Sequence, residues 1–182
     1  MDPLVAHQRA QEAFAGVLAR VDPDEFGAPT PCSEWTIGDL IDHVIGGNER
    51  VGLWATNPTE PPARPGDAVA AHRASALAAQ DVFAGPDGMT GMYKLPFGEV
   101  PGQVFVGMRT SDVLTHAWDL AFATNQSTDL DPELAAEQLA AVRVYVRPEF
   151  RGPGRPFGHE QSCSAERAPA DQLAAFLGRK VQ

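Results

Sequence analysis

Gly102-Gln103-Val104-Phe105-Val106-Gly107-Met108-Arg109-Thr110-Ser111-Asp112-Val113-Leu114-Thr115-His116-Ala117-Trp118-Asp119-Leu120-Ala121-Phe122-Ala123 is the stretch whose reading decides the fold. At 100° per residue, Phe105, Met108, Leu120 and Ala123 share one stripe, so the segment reads as an amphipathic helix over 102–123 with that stripe toward a core. Asp112 and His116 lie one turn apart on the same stripe, and Arg109 and Asp119 lie close to it. Charge placed on a buried stripe costs several kcal/mol unless it is compensated. Two compensations are open: an internal ion-pair network, or a metal held by Asp112 and His116.

The same periodicity extends outward on both sides. Ala10, Phe14, Val17 and Val21 define a helix over 3–21 that stops before Asp22-Pro23. Ile37, Leu40, Ile41, Val44 and Val51 define another over 37–55, with Thr36 as N-cap and Asp39 as the short-armed partner of a capping box. An alanine-rich third helix over 67–84 is carried by Val69, Leu77 and Val82. Glycine and proline break the period from Gly85 to Pro101, where Met92–Pro101 reads as a short extended segment or hairpin. Asp131-Pro132 opens a further helix running to about Val146. No period survives from Arg147 to Pro169, and a last helix carries Leu173, Phe176 and Leu177. This is an all-α bundle with a minor extended excursion.

The chain has 182 residues, which suits a single domain over 1–182. Its net charge of −10 repels phosphate backbones and anionic lipid, so neither nucleic acid nor a membrane is expected as a partner. Met1-Asp2-Pro3-Leu4 carries neither the basic nor the apolar part of a signal peptide, and Cys32 and Cys163 form no CxxC; the expected location is cytoplasmic. GxGxxG, GxxxxGK[ST] and GxSxG signatures are absent from the sequence. Ser111 has His and Asp neighbours but, in mid-helix, no oxyanion hole.

A carboxylate and an imidazole at i and i+4 reach one cation, as the paired histidines of HExxH do. The further ligand is sought on a second helix, where His43 lies on the flank of the apolar face with Gly46 and Gly47 beside it to leave room. His7, His72 and His159 lack partners at helical spacing and are read as surface residues. Cys32, four residues ahead of Thr36, is read as a buried structural thiol. Trp35 and Trp118 are read as packing residues. Arg109 and Asp119 are the residues expected to orient the site from behind.

Thr30-Pro31-Cys32-Ser33-Glu34-Trp35-Thr36 leading into Asp39-Leu40-Ile41-Asp42-His43-Val44-Ile45-Gly46-Gly47-Asn48 resembles the opening of an actinobacterial group of metal-binding proteins. That group belongs to the DinB-like superfamily and is related to the N-terminal domain of mycothiol-dependent maleylpyruvate isomerase. Leu95–Pro101, Asp112–Ala121 and Ala168–Arg179 look like three further blocks of it, in order. The resemblance implies a DinB/YfiT-like four-helix bundle with an additional C-terminal helix and a short extended segment. It also implies a divalent metal, zinc or nickel, held by histidine on the second helix and Glu-x-x-x-His on a later one. His43 and His116 match that pattern directly. Asp112 stands at the glutamate position, one methylene shorter. The isomerase carries a separate C-terminal domain for which this chain leaves no room, so maleylpyruvate isomerase activity itself is not expected.

Two functions compete on this footing. One is a metal-dependent S-transferase or isomerase that uses a low-molecular-weight thiol such as mycothiol on an electrophilic substrate. The other is a non-catalytic metal-binding or stress-associated module, working as a homodimer.

Overall fold

A computed structural model describes residues 1–32 and 34–181. Ser33, inside the Thr30–Thr36 motif, lies outside the described residues. The described residues form helices α1 (Pro3–Leu18), α2 (Ile37–Trp54), α3 (Ala68–Ala84), α4 (Gly102–Ala123), α5 (Pro132–Tyr145) and α6 (Pro169–Phe176). An antiparallel hairpin of β1 (Met92–Leu95) and β2 (Gly98–Pro101) precedes α4, pairing Met92 with Pro101 and Leu95 with Gly98. The molecule is mostly helical, as the periodicity implied.

Side chains at the helix ends account for several boundaries. Thr36 caps α2 with its hydroxyl on the Asp39 amide while the Asp39 carboxylate returns to the Thr36 amide, a complete capping box. Asp2, Asp67 and Asp131 cap α1, α3 and α5 in the same sense. α1 ends at Leu18, not 21; the chain turns at Ala19-Arg20, and Val21 packs half-buried outside the helix.

α1 packs on α4 and α3, α2 on α3 and α4, and α5 and α6 on one another and on α4. α4 is therefore the central element, buried around most of its circumference. Its Asp112 stripe is the less enclosed side, since Met108, Asp112 and Ala123 are only half-buried. The main core gathers Phe14, Leu40, Val44, Leu114, Trp118, Leu134 and Leu173, and a second cluster joins Val51, Phe83, Tyr93 and Phe105 at the hairpin end. Truncating a fully buried aromatic such as Phe14 costs roughly 3–5 kcal/mol.

α3 departs from the reading by hydropathy. Val69 and Leu77 are exposed, and the buried face is Ala71, His72, Ser75, Ala79 and Phe83. Small residues and one histidine let α3 approach α1 and α2 closely, whereas a stripe through Leu77 would point away from both.

Candidate metal centre

α2 and α4 bring His43, Asp112 and His116 together. His43 Nε2 lies 3.3 Å from Asp112 Oδ2 and 3.4 Å from Oδ1, and His116 Nε2 lies 3.5 Å from the same Oδ1. The two imidazole rings meet edge to face with centroids 4.8 Å apart. These separations are long for charge-assisted hydrogen bonds, which run about 2.7–2.9 Å. They match the spacing between ligand atoms around a tetrahedral ion with bonds of about 2.0–2.1 Å, which is about 3.3 Å. The site grades from solvent to interior: the side chains of His43 and Asp112 are 31% and 32% exposed, that of His116 is 8% exposed, and Asp119 is fully buried.

Arg109 holds the Asp112 carboxylate from behind. Its Nη1 donates to Asp112 Oδ2 at 2.7 Å, and its Nη2 donates to Asn48 Oδ1 at 3.0 Å and Val44 O at 3.4 Å. Gly47 makes this possible, because a Cβ there would sit 2.4 Å from Arg109 Nη1. The glycine thus leaves room for the guanidinium rather than for His43, a correction to the sequence reading. Burial alone would raise the Asp112 carboxyl, but the charges of Arg109 and His116 outweigh it and hold it well below the usual carboxylate range. Burial alone would likewise depress His116; without a cation, the Asp112 charge and hydrogen bonds to Asp112 and Asp119 raise it well above 6.5.

The far side of His116 forms a second cluster. His116 Nδ1 donates to Asp119 Oδ2 at 3.0 Å, and Cys32 Sγ donates to the same oxygen at 3.1 Å while lying 3.8 Å from Nδ1. Arg179 forks onto Asp119, with Nε to Oδ1 at 3.1 Å and Nη2 to Oδ2 at 2.8 Å, and Nη2 also reaches Cys32 Sγ at 3.3 Å. Burial opposes the Asp119 charge, but Arg179 and His116 more than offset it, so its carboxyl is held far below the usual range. Cys32 is accordingly half-buried within the site's surroundings, not a packed core thiol. Trp35 covers both imidazoles, its ring 4.6 Å from that of His43 and 5.6 Å from that of His116. Trp118 packs in the core and donates from Nε1 to Asp171 at 2.8 Å.

Among the described residues, two groups of side chains bring ligand atoms within 4.8 Å of one another: His43, Asp112 and His116, and Cys32, His116 and Asp119. Two surface cavities of about 470 and 390 Å³ lie elsewhere, one between Ala55–Thr59 and the hairpin, one between the end of α1 and Arg64–Ala71. Their size does not outweigh the convergence of titratable groups at His116, where the chemistry is concentrated.

The model of the mycothiol maleylpyruvate isomerase N-terminal domain matches residues 7–121, which span Cys32, His43, Asp112, His116 and Asp119. The chain belongs to that family. It is 69% identical, over all of its length and all of theirs, to two proteins of Mycobacterium tuberculosis named "Uncharacterized protein MT0763" (strain CDC 1551 / Oshkosh) and "Uncharacterized protein Rv0738" (strain ATCC 25618 / H37Rv). No solved structure matches it. Membership of the mycothiol maleylpyruvate isomerase N-terminal domain family agrees with the resemblance carried by the Thr30–Asn48 and Asp112–Ala121 blocks. Among the described residues, no helix is long and apolar enough to cross a membrane.

Two of the histidine readings are corrected by the structure. His7 and His72 are buried, not on the surface. They join Gln11, Asn48, Ser75 and Gln80 in a hydrogen-bonded network between α1, α2 and α3. His159 is exposed, as read. Arg179 was missed because it lies 60 residues beyond Asp119, and no helical spacing links them.

Proposed function

We propose that α1–α4 form a DinB-like four-helix bundle that binds one divalent cation through His43, Asp112 and His116 and presents a mycothiol-type thiol to a small electrophile. The activity is a thiol-dependent S-transfer or isomerisation. The observation that carries this reading is the 3.3 Å and 3.5 Å spacing of two imidazole nitrogens from one carboxylate, in a chain of a family named for mycothiol. Two imidazoles and a carboxylate suit zinc or nickel. A bound cation supplies an open Lewis-acid position that holds a thiol as its thiolate at neutral pH.

The chain's own residues prepare that position. Partial exposure of His43 and Asp112 leaves the outer side open to a small molecule, and Trp35 walls the neighbouring side. Arg109 balances Asp112, while Asp119 accepts the hydrogen bond from His116 Nδ1–H and leaves Nε2 for the cation. The net charge of −10 favours a small-molecule partner over nucleic acid, and a cytoplasmic setting suits the free thiols Cys32 and Cys163.

Metal analysis of untagged protein tests the reading. One equivalent of bound metal is expected, with stoichiometric binding lost in His43→Ala and in His116→Ala. Affinity falls as pH drops through ~6.5, because protonated imidazole cannot ligate; the raised value of metal-free His116 moves the onset higher. Absence of bound metal after reconstitution with zinc and with nickel would refute the proposal.

A further inference from the structure

Arg179 lies outside the family-matched residues 7–121, yet its guanidinium is among the best-anchored groups beside the candidate centre. α6 and the turn after it deliver it. Gly178 takes φ +101°, and a Cβ there would lie 2.6 Å from Gly158 Cα, so the turn needs glycine on both counts. The Gly178 amide donates to Ala175 O and the Arg179 amide to Ala174 O, which fixes the backbone at the helix end. The side chain is 13% exposed and uses Nε, Nη1 and Nη2: two donors on Asp119, one on Cys32 Sγ and one on Leu177 O at 3.2 Å.

The charge pattern gives this anchorage its meaning. His116 stands between two carboxylates, and each carboxylate has an arginine of its own, Asp112 with Arg109 and Asp119 with Arg179. When His116 ligates through Nε2 it is neutral, and Asp119 then has Arg179 as its cation. A fully buried carboxylate stripped of that two-point partner is no longer fixed in orientation and turns toward other donors. The turn breaks its hydrogen bond with Nδ1–H and lets the imidazole rotate.

We propose that Arg179 is a positioning residue of this site: its two-point grip on Asp119 commits His116 Nδ1–H to Asp119 and thereby aims Nε2 at the position shared with His43 and Asp112. The metal-directed half rests on the function proposed above; the hydrogen-bonding half does not.

The test uses the full chain, with Arg179→Ala, Arg179→Lys and His43→Ala, and zinc as the metal probe. Exchange of the His116 Nδ1 proton is read in ring proton–nitrogen spectra of the metal-free protein, zinc affinity by competition with a chelating dye, and folding by circular dichroism. In Arg179→Ala, Nδ1 exchange quickens, and zinc affinity falls by roughly 10–100-fold, the range that loss of such outer partners produces. Arg179→Lys keeps the charge without the planar fork and falls between. His43→Ala loses zinc while keeping wild-type Nδ1 exchange. Wild-type exchange and affinity in a folded Arg179→Ala overturn the proposal. If the alanine variant does not fold, wild-type behaviour of the lysine variant overturns it. A wild-type chain that takes up no zinc sinks the metal reading, and the exchange rates still decide whether Arg179 sets the ring.

Discussion

Histidines are buried in two regions of this molecule, and Arg109 touches both. Between α1, α2 and α3, His7 Nδ1 donates to Gln80 Oε1 at 2.7 Å, Gln11 Nε2 donates to His7 Nε2 at 3.1 Å and to Asn48 Oδ1 at 2.7 Å, and His72 Nε2 donates to Gln11 Oε1 at 2.9 Å. These four bonds run from 2.7 to 3.1 Å, the ordinary range, and both histidines are neutral amide-like groups. At the candidate centre, two imidazoles face one carboxylate at 3.3 Å and 3.5 Å, with arginines behind. Burial pushes His7 and His72 down to about 4, whereas carboxylates push His116 up. The same side chain is structural in one region and ligand-like in the other. What separates the two cases is the partner: an amide in one, a carboxylate in the other.

Acid should break the comparison most strongly. An unfolded histidine binds its proton near 6.5 and the buried pair only near 4, so between these values the unfolded chain holds more protons and stability falls with pH. Each contributes a loss of roughly 3 kcal/mol by about pH 4. Asp112 and Asp119, with depressed values, lose their contribution only below the ordinary carboxylate range. His116, with a raised value, contributes fully below 6.5 and loses it as pH rises through its folded value. Urea unfolding of metal-free protein at pH 7, 5.5 and 4 checks this, and a His7→Gln/His72→Gln double variant should flatten the curve.

Asn48 joins the two regions, since its Oδ1 accepts from both Gln11 and Arg109. Asn48→Leu strands two buried donors at roughly 1–3 kcal/mol each. Chemical denaturation should show that loss, together with weaker zinc binding as Arg109 loses its hold on Asp112. A stability loss with zinc affinity unchanged would show that the regions are independent.

Asp119→Asn comes next in size. The amide keeps the shape but not the charge that holds Nδ1–H, and zinc affinity should fall by ~10–100-fold with the fold intact, read by chelator competition and circular dichroism. The smallest effect belongs to His7→Gln and His72→Gln taken singly. Zinc stoichiometry should stay at the wild-type value in both, and a loss in either would merge the two regions into one site.

Local signals made much of this legible in advance. The span of α4 was readable as 102–123 because apolar period, preceding proline and glycine punctuation agreed, and Thr36 with Asp39 announced the start of α2. His43, Asp112 and His116 were visible as a set because two share a helix turn and the third sits in the Thr30–Asn48 block. His7 and His72 were misplaced because their partners come from other helices, beyond any i, i+4 rule. α3 misled because alanine-rich helices are oriented by how closely neighbours approach, not by their few large side chains. Gly47 was seen as space, but which side chain fills that space is a three-dimensional fact. Arg179 and Cys32 meet across 147 residues of chain, which no periodicity encodes.

Trp35, tilted against both candidate ligand imidazoles, gives the protein a reporter of its own. Protonated imidazole quenches indole emission, and neutral imidazole fixed on a closed-shell ion quenches it less. Zinc should therefore brighten the half-buried Trp35 against the steady background of Trp54, packed beside Phe105 at the hairpin end, and of Trp118, whose indole is locked to Asp171 deep in the core. Binding at the centre becomes visible in the chain's native fluorescence, without label or coupled assay.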